Sequence, residues 1–252
     1  MNKNSKIYVA GHSGMVGSAI VRQLKFQGFT NIIIKTSSEL NLLNYSHVNQ
    51  FFEEYRPEYV FLCAARVGGI AANIANPAVF LYENLSIQNN VIHCSHVHGV
   101  IKIAFLGSSC IYPRHCEQPM KEDYLLSGKL EPTNEGYAIA KIAGIKMIEF
   151  YHQQYGTAGI APIPCNLYGT NDSFDPKNSH VLSSLVRKFI DAVDSGANEV
   201  TIWGTGEARR EFMHVDDSAR AIIYLMENWD SPNIINIGWG IDYSIKELAE
   251  LI

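Results

Sequence analysis

Two residues one helical turn apart, Tyr137 and Lys141 in "EGYAIAKIAG", have the types and spacing of a proton-transfer pair. At i and i+4 they share one face of a helix. An ammonium beside a phenol lowers the phenol's pKa and makes it a better proton shuttle near neutrality. That suits ketone–alcohol interconversion, where the oxygen gains or loses a proton as hydride moves. Upstream, "FLGSSCIYP" ends an apolar run on Ser108 and Ser109, either of which could hydrogen-bond the same oxygen. Cys110 comes next. A free cysteine is most often a small buried hydrophobe. Its place two residues past Ser108, facing the Tyr137–Lys141 pair, makes Cys110 a candidate proton-transfer thiol.

A hydride needs a carrier, and "GHSGMVG" near the N-terminus offers a site for one. Gly11 and Gly14 let the backbone turn and approach a pyrophosphate, and Gly17 lets the following helix pack closely. The helix start then presents free N–H groups and a positive dipole end to the phosphates. Such a triplet is weak evidence alone; its strand–turn–helix setting gives it weight. The end of the next strand selects the cofactor. An NAD site usually places a carboxylate there for the ribose hydroxyls. This chain has "IIIKTSSEL", with Lys35, Thr36, Ser37 and Ser38 first and Glu39 further along. A cation and hydroxyls tolerate a 2′-phosphate better than a carboxylate does, which favours NADP(H). Equally, Lys35 reads as a solvated charge after a strand.

These residues must be positioned by a scaffold, and the chain alternates short apolar runs with amphipathic stretches. "KIYVAG", "NIIIKT", "YVFLCAA", "IKIAFLGSS" and "AGIAPIPCNLYG" read as strands, the last interrupted by Pro162 and Pro164. "MVGSAIVRQLKFQG", "YSHVNQFFEEYRP", "NPAVFLYENLSIQNNVIHCSHVHG" and "EGYAIAKIAGIKMIEFYHQQYG" read as helices. The alternation predicts an α/β fold, a Rossmann-type doubly wound parallel sheet covered on both faces. After Gly169 the pattern loosens: a loop, the helix "HVLSSLVRKFIDAVDSG", a strand–turn–strand in "EVTIWGTGEARREFMHV", and the helix "DDSARAIIYLMEN". The expected division is a dinucleotide-binding domain over 1–169 and a smaller substrate-binding region over 170–252, with some segments returning to the first. "SIKELAELI" opens with a capping box, Ser244 with Glu247. The helix it starts stops at Ile252 after about two turns, so a C-terminal portion is expected to be missing.

Composition narrows the class. The 252 residues are 47% hydrophobic and 18% charged, ordinary globular values. A net charge of −5 gives no bulk attraction to nucleic acid or anionic lipid. Five cysteines without a C-x-x-C argue against a disulfide framework or zinc site and for a reducing compartment. With no signal-peptide pattern at the start and no apolar run of membrane-spanning length, the chain reads as cytoplasmic. "HCSHVH" (His93, Cys94, His96, His98) falls at an ending helix and reads as a partly exposed helix end, so no metal site is expected. Cys63 and Cys165 read as strand packing, and Cys116 as a loop thiol.

Taken together, the Gly triplet, Ser108 and the Tyr137–Lys141 pair resemble the extended short-chain dehydrogenases/reductases. "VGGIAAN", "FLGSSCIYP", "LEPTNEGYAIAKIAGIK", "NLYGTND", "NSHV" and "REFMHVDD" carry the likeness over nearly the whole chain. They are most similar to the branch that uses NADPH to epimerise and reduce GDP-4-keto-6-deoxy-D-mannose. The resemblance implies inversion at C3 and C5 of the 4-keto sugar, then reduction at C4, giving GDP-L-fucose. It implies that Ser108, Tyr137 and Lys141 serve the reduction, and that Cys110 and His180 serve as base and acid for the epimerisations. It places Gly11, Ser13, Gly14, Met15, Val16, Gly17, Lys35, Tyr137, Lys141, Asn166, Leu167 and His180 on the cofactor. Lys188, Trp203 and Arg210 fall on the nucleotide-sugar, while Arg209 reads as a solvated charge. Asn73 and Asn84 are further candidates for the junction between the two. It also implies a homodimer built through the two long helices.

Alternative readings are another NAD(P)-dependent nucleotide-sugar epimerase or dehydratase, which would not need Cys110 and His180, or a truncated NADP-binding protein with little catalysis. Three departures from the family pattern stand out. Ser13 and the vicinity of Ser37 lack the arginines common there, Gly136 replaces a common proline, and family chains normally run several dozen residues past Ile252.

Overall fold

A computed structural model describes residues 1–175 and 179–252. Asn178, which opens the "NSHV" stretch, lies outside the described residues. Short apolar runs make the central sheet: β1 (Ile7–Ala10), β2 (Ile32–Ile33), β3 (Tyr59–Leu62), β4 (Lys102–Phe105), β5 (Gly159–Pro164) and β8 (Ile234–Ile237). They are parallel and ordered β2-β1-β3-β4-β5-β8. A parallel sheet needs cover on both faces, and the side chains comply. Tyr8 and Ala10 enter one core with Phe52, Phe105 and Ile145, while Ile7 and Val9 enter the other with Ile20, Ala219 and Ile222.

α1 (Met15–Phe26) and α7 (Val215–Asn228) cover one face, and α2 (Tyr45–Tyr55), α4 (Pro77–Val97) and α5 (Glu135–Tyr155) the other; α3 (Ile70–Ala75), α6 (Val181–Ser195) and α8 (Ile245–Leu251) lie outside these two layers. α4 and α5 are the longest, at 21 residues each. Asn44 caps α2 by accepting from the His47 N–H, and the capping box at Ser244 is formed in both directions. A second sheet joins β6 (Asn166–Tyr168), β7 (Arg209–His214) and β9 (Asp242–Ser244) in the order β6-β7-β9. β8, although late in the chain, pairs with β5 in the first sheet.

Three expectations are corrected. The prolines do not interrupt β5: Pro162 and Pro164 both lie within it. The Cys165 N–H donates to Ile237 of β8, so the alternate positions 162 and 164 face the side where β4 has already ended at Phe105. No sheet donor is required there, which is where proline is tolerated. The second strand is shorter than "NIIIKT", covering Ile32 and Ile33 only. Residues 199–203 form no strand, and β7 takes β6 and β9 as its neighbours instead. Among the described residues no helix is long and apolar enough to cross a membrane.

Candidate active site

The ligand crevice of a doubly wound sheet opens where strand order reverses, at the carboxyl ends of the strands. Here that point lies between β1 and β3. The chain leaves β1 through Gly11 at φ +81°, and a Cβ there would stand 2.7 Å from the Ala64 nitrogen, just past β3. A Cβ on Gly17 would lie 2.1 Å from the Gly11 carbonyl oxygen. Both glycines therefore let backbone meet backbone. Gly14 differs: its Cβ would meet only the Gly11 carbonyl oxygen, at an ordinary contact distance of 3.5 Å. α1 starts there with no side-chain cap and no acidic residue in its first turn. Its leading N–H groups are left for an anion. Ser13 and Gly14 are exposed and Met15 and Val16 half-buried around this cradle. The residues present fit a dinucleotide pyrophosphate.

At the ribose end, Lys35 is not a freely solvated charge. Its Nζ donates to the Tyr55 hydroxyl at 2.8 Å and lies 4.6 Å from that ring's centre. The hydrogen bond to Tyr55 raises its pKa. Glu39 is exposed and bonded within its own turn, accepting from the Thr36 N–H and hydroxyl at 2.8 and 2.7 Å. Those bonds hold its pKa below the usual carboxylate range.

The residues from the β4 end and from α5 come together where β4 meets α5. Gly144 lets α5 settle on Phe105, since a Cβ there would lie 2.3 Å from the ring. Gln88 of α4 donates to the Ala140 carbonyl at 2.7 Å and fixes the helix along its length. Lys141 is thereby buried, its Nζ donating to the Leu106 carbonyl at 2.7 Å and lying 5.7 Å from the Tyr137 ring centre. Beyond Leu106, the Gly107 N–H donates to the Pro162 carbonyl at 2.9 Å. Ser108 then opens a 3-10 turn, Ser109–Ile111, that carries Cys110.

Electrostatics depart from the simple expectation for the phenol. Burial lowers Lys141 to about 8, with the Cys110 and Cys63 thiols pulling the other way. Tyr137 is raised, not lowered: burial dominates, the nearby Cys110 adds to it, and hydrogen bonding to Ser108 offsets part. Cys110 is also raised by burial, against the opposing pull of Ser108 and Lys141. Ser108, Cys110, Tyr137 and Lys141 thus form one cluster of interacting groups. Cys63, at the carboxyl end of β3, joins them through Lys141 and is pushed up to about 12 by burial. Cys63 also packs against the core that holds Ile7, Val9 and Ile20, as its place in an apolar run predicts.

Other candidates are placed as follows. His180 is exposed at the N-cap of α6, and among the described residues no hydrogen bond or ring contact joins its side chain to Cys110 or Tyr137. Asn166 donates from Nδ2 to the Glu211 carbonyl at 2.9 Å, and Leu167 is half-buried beside it on β6. Lys188 and Trp203 come together, with Nζ 5.0 Å from the ring centre, and the indole is 83% exposed. Arg210 is exposed on β7 and donates to the Arg209 carbonyl at 2.7 Å. Arg209 pairs with Asp242 and Glu247. Asn84 is buried, bonded to both backbone groups of Arg66, and Asn73 donates to the carbonyls of Gly68 and Gly69. Both asparagines hold the loop that follows β3. His93 meets the Tyr151 hydroxyl and His96 the Thr157 hydroxyl, each at 2.9 Å.

A dinucleotide cradle at the switch point and a Ser–Tyr–Lys cluster beside it define a nucleotide-dependent oxidoreductase on a Rossmann scaffold. The chain belongs to the NAD dependent epimerase/dehydratase family, which it matches over residues 7–238. It is 54% identical over 252 residues to putative GDP-L-fucose synthase 2 of Arabidopsis thaliana, covering 100% of this chain and 77% of that one. Among solved structures it resembles a GDP-mannoheptose C4 reductase from Campylobacter jejuni with NADP bound. The TM-score there is 0.92 at 45% identity, over 100% of this chain and 85% of the other. It also resembles a GDP-L-fucose synthetase from Naegleria fowleri bound to NADP, with a TM-score of 0.92 at 28% identity, over 99% and 77% of the two chains.

Proposed function

We propose that the chain is an NADP(H)-dependent epimerase-reductase that converts GDP-4-keto-6-deoxy-D-mannose to GDP-L-fucose. The observation that carries this reading is the Cys110 thiol, carried by the turn that Ser108 opens and close enough to Tyr137 and Lys141 to interact with both. A reductase alone needs the last three. An epimerase needs, in addition, a group able to take a proton from the carbon next to the ketone.

The protein's part in the chemistry follows from these groups. Protons next to a ketone are acidic because the enolate places charge on the carbonyl oxygen. Ser108 and Tyr137 hydrogen-bond that oxygen and stabilise the charge. Cys110 accepts the proton from one face of the ring, aided by Ser108 and the Lys141 charge, which favour its thiolate. His180 returns a proton to the other face, which gives inversion. Bound NADPH supplies the hydride for C4. Tyr137 delivers the proton to O4, and Lys141 offsets the charge left on the phenolate. Gly11, Ser13, Gly14, Met15, Val16 and Gly17 hold the pyrophosphate, Lys35 serves the 2′-phosphate end, and Asn166 and Leu167 line the nicotinamide side. Lys188 and Arg210 face the GDP phosphates, and Trp203 covers the base or ribose.

In this reading 1–169 forms the dinucleotide domain and 170–252 the substrate region, with α7 and β8 returning to the first. Two copies join through α4 and α5, whose exposed Val79, Tyr82, Ile139 and Phe150 suit such a contact. All five cysteines are free, as suits a cytoplasmic enzyme.

The test is incubation with NADPH and GDP-4-keto-6-deoxy-D-mannose in deuterium oxide. GDP-L-fucose carrying deuterium at C3 and C5 is expected. Reduction without deuterium at those carbons would make the chain a plain C4 reductase. In Cys110→Ser, deuterium incorporation should fall by about a hundredfold or more, with NADPH affinity unchanged. Undiminished exchange would remove the thiol from the mechanism.

A further inference from the structure

A separate hydrogen-bond system stands behind the reaction centre and uses none of the residues assigned above. β8 is the open edge of the main sheet, and Asn236 lies on it in register with Ile163 of β5. An edge strand leaves backbone groups to be satisfied by other means. The Asn236 N–H donates to Glu122 Oε1 at 2.8 Å, and its side-chain Nδ2 donates to the Met120 carbonyl at 3.1 Å. Its Oδ1 accepts from the Tyr112 hydroxyl at 2.6 Å. All three partners belong to the excursion that leaves β4 through the Cys110 turn. Tyr112 is 4% exposed, and its N–H donates to the Ser109 carbonyl at 3.3 Å, so its ring and the turn are tied together. Burial raises the Tyr112 phenol to about 12, which keeps it a donor.

We propose that Asn236 is a positioning residue that, through Tyr112, sets the place of the Cys110 thiol and so governs the two epimerisations more than the reduction. The selectivity follows from how each group is held. Lys141 is fixed by the Leu106 carbonyl and α5 by its packing on Phe105, both independent of Asn236. Ser108 follows directly on Gly107, which is tied to Pro162. Cys110 lies further into the turn, between that tie and the Tyr112 clamp. The activity readout rests on the epimerase-reductase reading, but the state of the thiol does not.

Two variants test it in the full chain, Asn236→Ala and the milder Tyr112→Phe, which removes one hydroxyl and leaves the ring in place. Misplacing a reacting group by about 1 Å costs about a hundredfold in rate. Deuterium incorporation at C3 and C5 should therefore fall by about 10- to 100-fold in both variants, while NADPH affinity holds. Alkylation of Cys110 by iodoacetamide, located by mass spectrometry, should change in rate in both. Wild-type alkylation and exchange in Tyr112→Phe would overturn the proposal. So would equal loss of NADPH binding, which would mean that the clamp only holds the fold together. If the unmodified protein turns over no GDP-sugar, the functional reading fails, and Cys110 alkylation alone decides on the clamp.

Discussion

Replacing Lys141 by methionine should make the protein more stable while abolishing reduction. Lys141 is 4% exposed and its pKa is lowered to about 8 by burial. In the unfolded chain the same group keeps the ordinary value near 10.5. Between pH 8 and 10.5 the unfolded state binds more protons than the folded one, so stability rises with pH across that window. Below pH 8 the ammonium is charged in both states and its desolvation penalty is present in full, about 3 kcal/mol. Methionine fills similar space without the charge. It also leaves the Leu106 carbonyl without its 2.7 Å donor, a loss of about 1 kcal/mol. The net gain at pH 7 is about 2 kcal/mol, or roughly 4–8 °C in melting temperature for a chain of this length. The assay is thermal or urea unfolding of both proteins at pH 7 and pH 10, followed by circular dichroism. The wild type should gain stability between those pH values relative to the variant, and the two should converge near pH 10. A variant that melts below the wild type at pH 7, or a difference that does not shrink with pH, would refute the reasoning.

Gly17→Ala should destabilise the protein and weaken NADPH binding. The 2.1 Å approach to the Gly11 carbonyl outweighs the helix-propensity gain of about 1 kcal/mol that alanine brings elsewhere. Unfolding and a fluorescence titration with NADPH check both effects. Trp203→Ala should leave stability within about 0.5 kcal/mol, because the indole is exposed. It should raise KM for the GDP-sugar with little change in kcat, as expected for a group that binds ground state and transition state alike.

Much of the fold and the meeting of Ser108, Cys110, Tyr137 and Lys141 was legible in the sequence because each rests on local geometry. A glycine triplet after a strand forces a tight turn, and a tyrosine and lysine four residues apart share a helix face wherever the helix is placed. What could not be read locally depends on where distant segments meet. Pro162 and Pro164 look like strand breakers until β4 is seen to end before reaching them. The "EVTIW" stretch has a strand's composition but joins neither sheet; the second sheet is built from β6, β7 and β9, segments far apart in the chain. The expected fall in the Tyr137 pKa was sound for a pair in water. Burial reverses it, and burial is set by Gly144 drawing α5 onto Phe105 from 39 positions away in sequence.

The same contrast explains why Asn236 gave no signal. Its three bonds reach back to residues 112–122, more than a hundred positions earlier. The chemistry-bearing residues are marked by type and spacing. The residues that hold them at distance are marked only by the fold, and a polar side chain facing in from an open sheet edge is the physical sign by which this one is found.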